Sequence, residues 1–222
     1  MKFAMLYSCG KDSALALHRM IQAGHTPVCL IVTYNEEAGR SWFHGVTADL
    51  LDAVAASAAI PVLRCVCTGE NYHTEVERCL TEAKAMGAEA AVFGDIDIAD
   101  HLAWNRERCN QAGLRCITPL WGEGREALVH ETIDAGFRAV IKCVDLARLD
   151  ESFLGEVLTH GLAARIAATG SDVCGENGEY HTFVCDGPIF RSPIPIRLGE
   201  KINLGSHAVI DISLMPGAAR TV

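Results

Sequence analysis

Short runs of apolar residues alternate along the chain with stretches of helical periodicity, each bounded by glycine, proline or a polar cluster. Residues 2–7 form the first such run, a predicted strand that enters a turn at Ser8-Cys9-Gly10. Residues 12–24 follow with Leu15, Leu17, Met20 and Ile21 at the spacing of an amphipathic helix, closed by Gly24. The run 28–33 reads as a strand buried on both faces, and the alanine-rich helix 46–59 stops at Ile60-Pro61. Strand 62–66, helix 74–86 before Gly87, and strand 90–94 continue the alternation. Residues 100–112 are expected to be helical, 116–119 extended, 126–135 helical and 139–144 a further strand.

Strand–helix alternation over some 140 residues predicts a doubly wound, mainly parallel α/β sheet. In such a sheet ligands bind beyond the carboxyl ends of the strands. Three segments fall there: Ser8 to Ser13, Tyr34 to His44, and Gly94 to Asp97. From about Leu149 the character changes. Residues 154–169 are expected to be helical, 170–195 are rich in glycine, proline and polar residues, and 182–185 and 199–214 supply short strands. The division is therefore a nucleotide-binding α/β domain at 1–148 and a smaller α+β subdomain at 149–222, with the last residues, 216–222, frayed. No repeat and no low-complexity linker separates them.

Half of the 222 residues are apolar and 21% are charged, ample for a buried core. The net charge of −9 excludes a broad basic footprint and so argues against non-specific nucleic-acid binding. No secretory leader and no membrane-spanning run stand out, so the expected location is the cytoplasm. The ten cysteines are scattered through apolar stretches and are expected to be reduced core residues. Zinc is the alternative, but no pair of Cys-x-x-Cys knuckles supports it.

Ser8-Cys9-Gly10-Lys11-Asp12-Ser13 lies where a strand passes into a helix, and backbone N–H groups converge there on an anion. Gly10 allows close approach, Ser8 and Ser13 offer hydroxyls, and Lys11 adds positive charge. This is not a Walker A loop, since Met5 and Asp12 stand where that pattern needs glycine and Ser or Thr. An acid at Asp12 suits a bound cation; a plain helix start capped by Asp12 or Ser8 accounts for the same residues. The segment closely resembles the Ser-Gly-Gly-x-Asp-Ser fingerprint of the PP-loop ATP pyrophosphatases, with Cys9 in place of the first glycine. The resemblance implies ATP cleavage between the α- and β-phosphates, with Ser8, Cys9, Gly10, Lys11, Asp12 and Ser13 around the pyrophosphate.

Two further stretches carry a narrower resemblance. One runs from Gly94-Asp95-Ile96 through Trp104-Asn105-Arg106-Glu107-Arg108-Cys109 to Pro119-Leu120-Trp121. The other is Cys174-Gly175-Glu176-Asn177-Gly178-Glu179-Tyr180-His181-Thr182 with Asp186-Gly187-Pro188-Ile189-Phe190. With the loop, these resemble the diphthine–ammonia ligase family, whose archaeal and eukaryotic members amidate a modified histidine of elongation factor 2 with ATP and ammonium. Asn177 and His181 replace a glycine and a glutamate of those members, a version similar to a bacterial branch. The ATP chemistry then carries over while the acceptor does not.

The resemblance implies an ATP-dependent, AMP-forming ligase that adenylates a carboxylate and transfers ammonia or an amine, using ATP and Mg²⁺. Lys11, Asp12, Glu176, Glu179 and Arg106 are its candidate catalytic residues. Glu176 and Glu179 could bind ammonium, ligate Mg²⁺ or act as base, or form only a solvated turn. Asp95, with Gly94, is a candidate ribose or Mg²⁺ contact beside Asp12, or a helix cap. Arg106 could meet the α-phosphate or the substrate carboxylate, or be an exposed helix arginine. Tyr34 and His44 bound the segment expected near the adenine, where Trp42 and Phe43 serve either as pocket or as packing. His181 adds a group that titrates near neutrality. Expected partners are ATP, an ammonium or amine donor and an unidentified carboxylate acceptor, with a homodimer left open. An RNA-modifying enzyme and a non-catalytic adenine-nucleotide sensor are the competing functions.

Overall fold

Five parallel strands make the first layer of the computed structural model, which describes residues 1–217. They are β1 (Lys2–Leu6), β2 (Thr26–Asn35), β4 (Val62–Val66), β5 (Ala90–Val92) and β6 (Arg115–Ile117). Their pairings give the spatial order β4-β2-β1-β5-β6, and a two-residue strand β3 (Arg40–Ser41) runs antiparallel to the end of β2. The order reverses between β1 and β5, so a crevice opens beyond their carboxyl ends. Four helices connect these strands: α1 (Lys11–Gln22), α2 (Ala48–Ala58), α3 (Tyr72–Ala85) and α4 (Ala99–Ala112).

Strand alternation sorts the side chains into two cores. Phe3, Met5, Leu30 and Val32 enter one, and Ala4, Cys29, Ile31 and Ala91 the other. Cys65, Cys79 and Cys109 fill the second core with α3 and α4. All ten cysteines are free and eight are buried, in keeping with their use as small apolar residues.

After α5 (Arg125–Asp134) comes β7 (Arg138–Asp145), which the sequence pattern places with the parallel strands. It belongs instead to an antiparallel sheet of order β8-β7-β10-β9, with β8 (Tyr180–Asp186), β9 (Ile196–Asn203) and β10 (His207–Leu214). A buried apolar run has the same composition in either kind of sheet, so composition could not choose. The helix expected over 154–169 is also shorter: a 3₁₀ turn covers Glu151–Phe153, and α6 is His160–Ala168, capped by the Thr159 hydroxyl. Between them the backbone follows β7, with Ile141 N–H donating to Glu156 O and Leu158 N–H to Ala139 O.

The second sheet buries Val140, Ile141, Phe183, Val184 and Ile210 in the same core as Phe3 and Met5, so one apolar interior joins both layers. No helix among the described residues is long and apolar enough to cross a membrane. Of the tail expected to fray, 218–222 lie outside the described residues.

Candidate nucleotide-binding site

The turn after β1 brings Cys9 into the left-handed region, at φ 68°. That region favours glycine, which explains the glycine of the fingerprint and makes the cysteine a strained substitute. Two bonds from β8 hold the turn. Val184 N–H donates to Cys9 O at 2.9 Å, and Lys11 N–H donates to the Thr182 hydroxyl at 3.0 Å. Gly10 is the N-cap of α1 with no side-chain cap, so neither Ser8 nor Asp12 fills that role. Ser8 and Ser13 instead hydrogen-bond each other at 3.1 Å. Among the described residues, the N–H groups of Asp12 and Ser13 have no protein acceptor, which leaves two donors at a helix start.

These donors face a cavity of about 480 Å³ beyond the ends of β1, β2 and β5. Ser8, Lys11, Asp12, Ser13, His44, Gly94, Asp95 and Glu176 all line it, although they come from four separate parts of the chain. Thr33, Phe43, Tyr72 and Trp104 add an apolar and aromatic wall. Gly94 is required for this geometry: a Cβ there would lie 2.9 Å from the Asp12 carbonyl carbon and the Ser13 nitrogen.

Lys11 is 4% exposed and its ammonium meets both Asp12 oxygens, at 2.9 and 2.7 Å. Burial opposes the lysine charge, but Asp12, Cys174 and Tyr180 together hold its pKa well above the ordinary value. Asp12, Cys174 and Glu176 bring ligand atoms within 4.8 Å of one another. Burial, and then the charge of Asp12, pushes Glu176 from 4.5 up to about 7. Asp95 is held by Asn105 Nδ2 at 2.7 Å and lies 3.2 Å from His101 Nδ1.

Glu176 projects from a turn built by two other acids. Asp172 accepts the N–H groups of Cys174 and Glu176 at 3.0 and 3.2 Å. Glu179 accepts from Asp172 N, Asn177 N and Asn177 Nδ2 at 3.4, 3.1 and 3.2 Å. Arg125 then ties the turn to the segment after β5, donating to Asp97 at 2.7 and 2.8 Å and to Asp172 at 2.6 Å. It also donates to Asn177 Oδ1 at 3.3 Å, so the asparagine bridges Arg125 and Glu179.

Glu179 is thus 2% exposed, turned into the scaffold and absent from the cavity wall. Arg106 is exposed on α4 and also outside the wall, because Asn105 takes the helix face towards Asp95. Tyr34 is packed in the main core, its ring 5.9 Å from the Arg64 guanidinium. Thr33, one residue earlier on the opposite strand face, lines the cavity in its stead.

His44, at φ 61°, stacks against Gly10 and shares a 2.7 Å hydrogen bond with Thr182 O through Nδ1. Burial, then His181 at 4.9 Å between ring centroids, pushes its pKa down to about 3, so it is neutral and Nδ1–H is the donor. His181 is lowered too, first by burial and then by Lys11. Sequence reasoning left out Thr182, Asn105, His101, Cys174 and Arg125. Thr182 and Cys174 stand inside the quoted Cys174-to-Thr182 stretch; Arg125 carries no local signal.

Two expected results follow from the turn. Glu179→Ala strands three donors and should lower stability by about 2–3 kcal/mol in urea unfolding. Glu176, with a raised folded pKa, contributes stability that is fully present below pH 4.5 and lost as pH rises through about 7. Glu176→Gln should therefore be more stable than the parent at pH 8, by about 2 kcal/mol, with the gain shrinking towards pH 5.

The family model described as the diphthamide synthase N-terminal domain matches residues 1–116, and that of the C-terminal domain matches 124–215. The chain is 27% identical to a diphthine–ammonia ligase of Bos taurus, over 97% of this chain and 90% of that protein. It is 28% identical to the Homo sapiens one over the same shares. Against the diphthine–ammonia ligase of Schizosaccharomyces pombe it is 24% identical, over 94% of this chain and 38% of that longer protein. A crystal structure of a predicted subunit of tRNA methyltransferase from Methanocaldococcus jannaschii aligns with TM-score 0.49 and 16% identity, over 87% of this chain and all of that one.

Proposed function

The chain belongs to the diphthamide synthase family, and on that premise we propose that it is an ATP-dependent ligase that activates a carboxylate and converts it into an amide with ammonia. The observation that carries this reading is the convergence of Lys11, Asp12 and Glu176 on one cavity at the start of α1. The β- and γ-phosphates of ATP take the two open N–H groups and the Ser8 hydroxyl, which turns to them from Ser13, while Ser13 keeps its bond to Gly10 O. Lys11 stabilises the charge that grows as pyrophosphate leaves, and it leans on Asp12 until nucleotide arrives. The aromatic wall of Phe43, Tyr72 and Trp104 suits the adenine.

In the first half-reaction an oxygen of the acceptor carboxylate bonds to the α-phosphorus, and the bond to the bridging oxygen of pyrophosphate breaks. In the second, ammonia bonds to the acyl carbon, and the bond to AMP breaks. The proton shed by the nitrogen passes to ionised Glu176, whose pKa of about 7 suits a base at neutral pH. Magnesium fits this donor set through Asp12, with Glu176 close enough to share it, whereas the Cys174 thiol is the wrong ligand for a hard ion. It would supply positive charge to the phosphates. Asp95, held by Asn105 on the cavity wall, would take the ribose hydroxyls.

The decisive measurement is pyrophosphate and AMP release from ATP with ammonium present, using a panel of carboxylic acids as acceptors. Release that depends on both acceptor and ammonium is expected. ATP binding without release under every acceptor would leave a nucleotide sensor, and the ligase reading would fall.

A further inference from the structure

A second cavity, of about 390 Å³, adjoins the first and shares Phe43, His44 and His181 with it. Its charged lining is Arg40, Lys142 and Asp211, and its apolar part is Trp42, Ile202, Leu204 and Val209. We propose that this cavity is the acceptor subsite, taking a compact carboxylic acid whose carboxylate meets Lys142 and whose apolar body lies on Trp42, Phe43, Ile202 and Leu204. That it is the acceptor's subsite rests on the ligase reading above; that it binds such an acid does not.

Lys142 is 5% exposed, and among the described residues its ammonium has one hydrogen bond, to Gly45 O at 3.1 Å. That oxygen is shared, because Arg40 also donates to it at 3.3 Å. The cavity's acid, Asp211, faces Arg40 at 3.7 Å and forms no ion pair with Lys142. A buried ammonium with one neutral hydrogen-bond partner retains unused N–H donors, and Asp211 opposes its charge only without contact, so a bound anion supplies both needs. Burial, and then Arg40, brings its pKa down to about 8, the direction expected of a cation short of a counterion. His44 and His181 line both cavities, so an acid held here is separated from the phosphate-loop cavity by those two rings.

The apolar half of the cavity selects the kind of anion. Trp42, Phe43, Ile202 and Leu204 are 39, 53, 46 and 64% exposed, an open apolar cover that a bare phosphate does not use. Trp42 is fixed in place by donating Nε1–H to Cys67 O at 3.0 Å. An acid with an aromatic or aliphatic body satisfies both halves at once.

The test is a ¹⁹F NMR titration of 4-fluorophenylacetate into the full chain without nucleotide. Saturable binding is expected, weakened about tenfold or more by Lys142→Met and retained by Lys142→Arg, with thermal melts checking both folds. The neutral 2-(4-fluorophenyl)ethanol should bind about tenfold more weakly. Equal binding to Lys142→Met, equal binding of the alcohol, or displacement of the acid by ATP would each overturn the assignment. Tighter binding of a glutamate-containing peptide amide than of the free acid would overturn the compact-acid part in favour of a protein-borne carboxylate. Because no turnover is involved, Lys142-dependent binding with no pyrophosphate release would sink the ligase reading alone. Acceptor-dependent release with no such binding would sink this subsite alone.

Discussion

Replacing Lys11 by alanine is expected to slow pyrophosphate release from ATP by about a thousandfold. The lysine contributes twice. Its ammonium is a buried positive charge on the cavity wall, where water cannot substitute for it as the phosphates separate. It also offsets the carboxylates of Asp12 and Glu176, and without it Asp12 loses its ion-pair partner where a polyanion must bind. Nucleotide affinity and turnover should therefore fall together. Lys11→Arg should recover part of the binding and little of the turnover, since the larger planar guanidinium cannot take the place of a compact ammonium at a 4% exposed position. Turnover of the alanine variant within tenfold of the parent would remove the loop from the chemistry.

The second large effect is expected at a residue with no side chain. Gly94→Ala places a methyl group 2.9 Å from two backbone atoms of the first turn of α1. A flexible neighbour could yield, but the helix start is already bonded to β8 through Cys9 O and Lys11 N. The strain should cost about 2–3 kcal/mol in urea unfolding, and the displaced loop should lose pyrophosphate release about a hundredfold. Gly10→Ala also meets an obstacle, 2.5 Å away at His44 Cε1, yet there the contact is a side chain. A Gly94→Ala protein of unchanged stability would show that the close approach of β5 and α1 is not needed.

The parallel layer was legible because its signals are local: apolar runs of strand length, helices of the right phase, and a glycine or proline at each helix exit. What escaped was partnership. The run around Val140 and Ile141 pairs antiparallel with residues some forty positions later, and nothing within the run records that. Lys142 in its middle was the available hint, a charge inside a buried strand.

The site divides in the same way. Ser8, Lys11, Asp12 and Ser13 follow from one loop, and His44, Gly94 and Asp95 from two strand ends, all on the cavity. Glu176 and Glu179 could not be told apart by spacing, since turn geometry decides which carboxylate points outwards. Arg106 and Asn105 differ by one residue on a helix, which is enough to turn one to solvent and the other to Asp95.

The phosphate loop lies within the N-terminal family match, but the two bonds that tie its bend to the rest of the fold come from β8, inside the C-terminal match. Severed at the seam, the first fragment would keep every residue of the fingerprint and lose the scaffold that imposes its shape. Cys9, lacking glycine's freedom, would relax out of its bend, and the anion cradle would open. Neither half is then a transferable module: a chimaera that borrows the loop must borrow its distant brace as well.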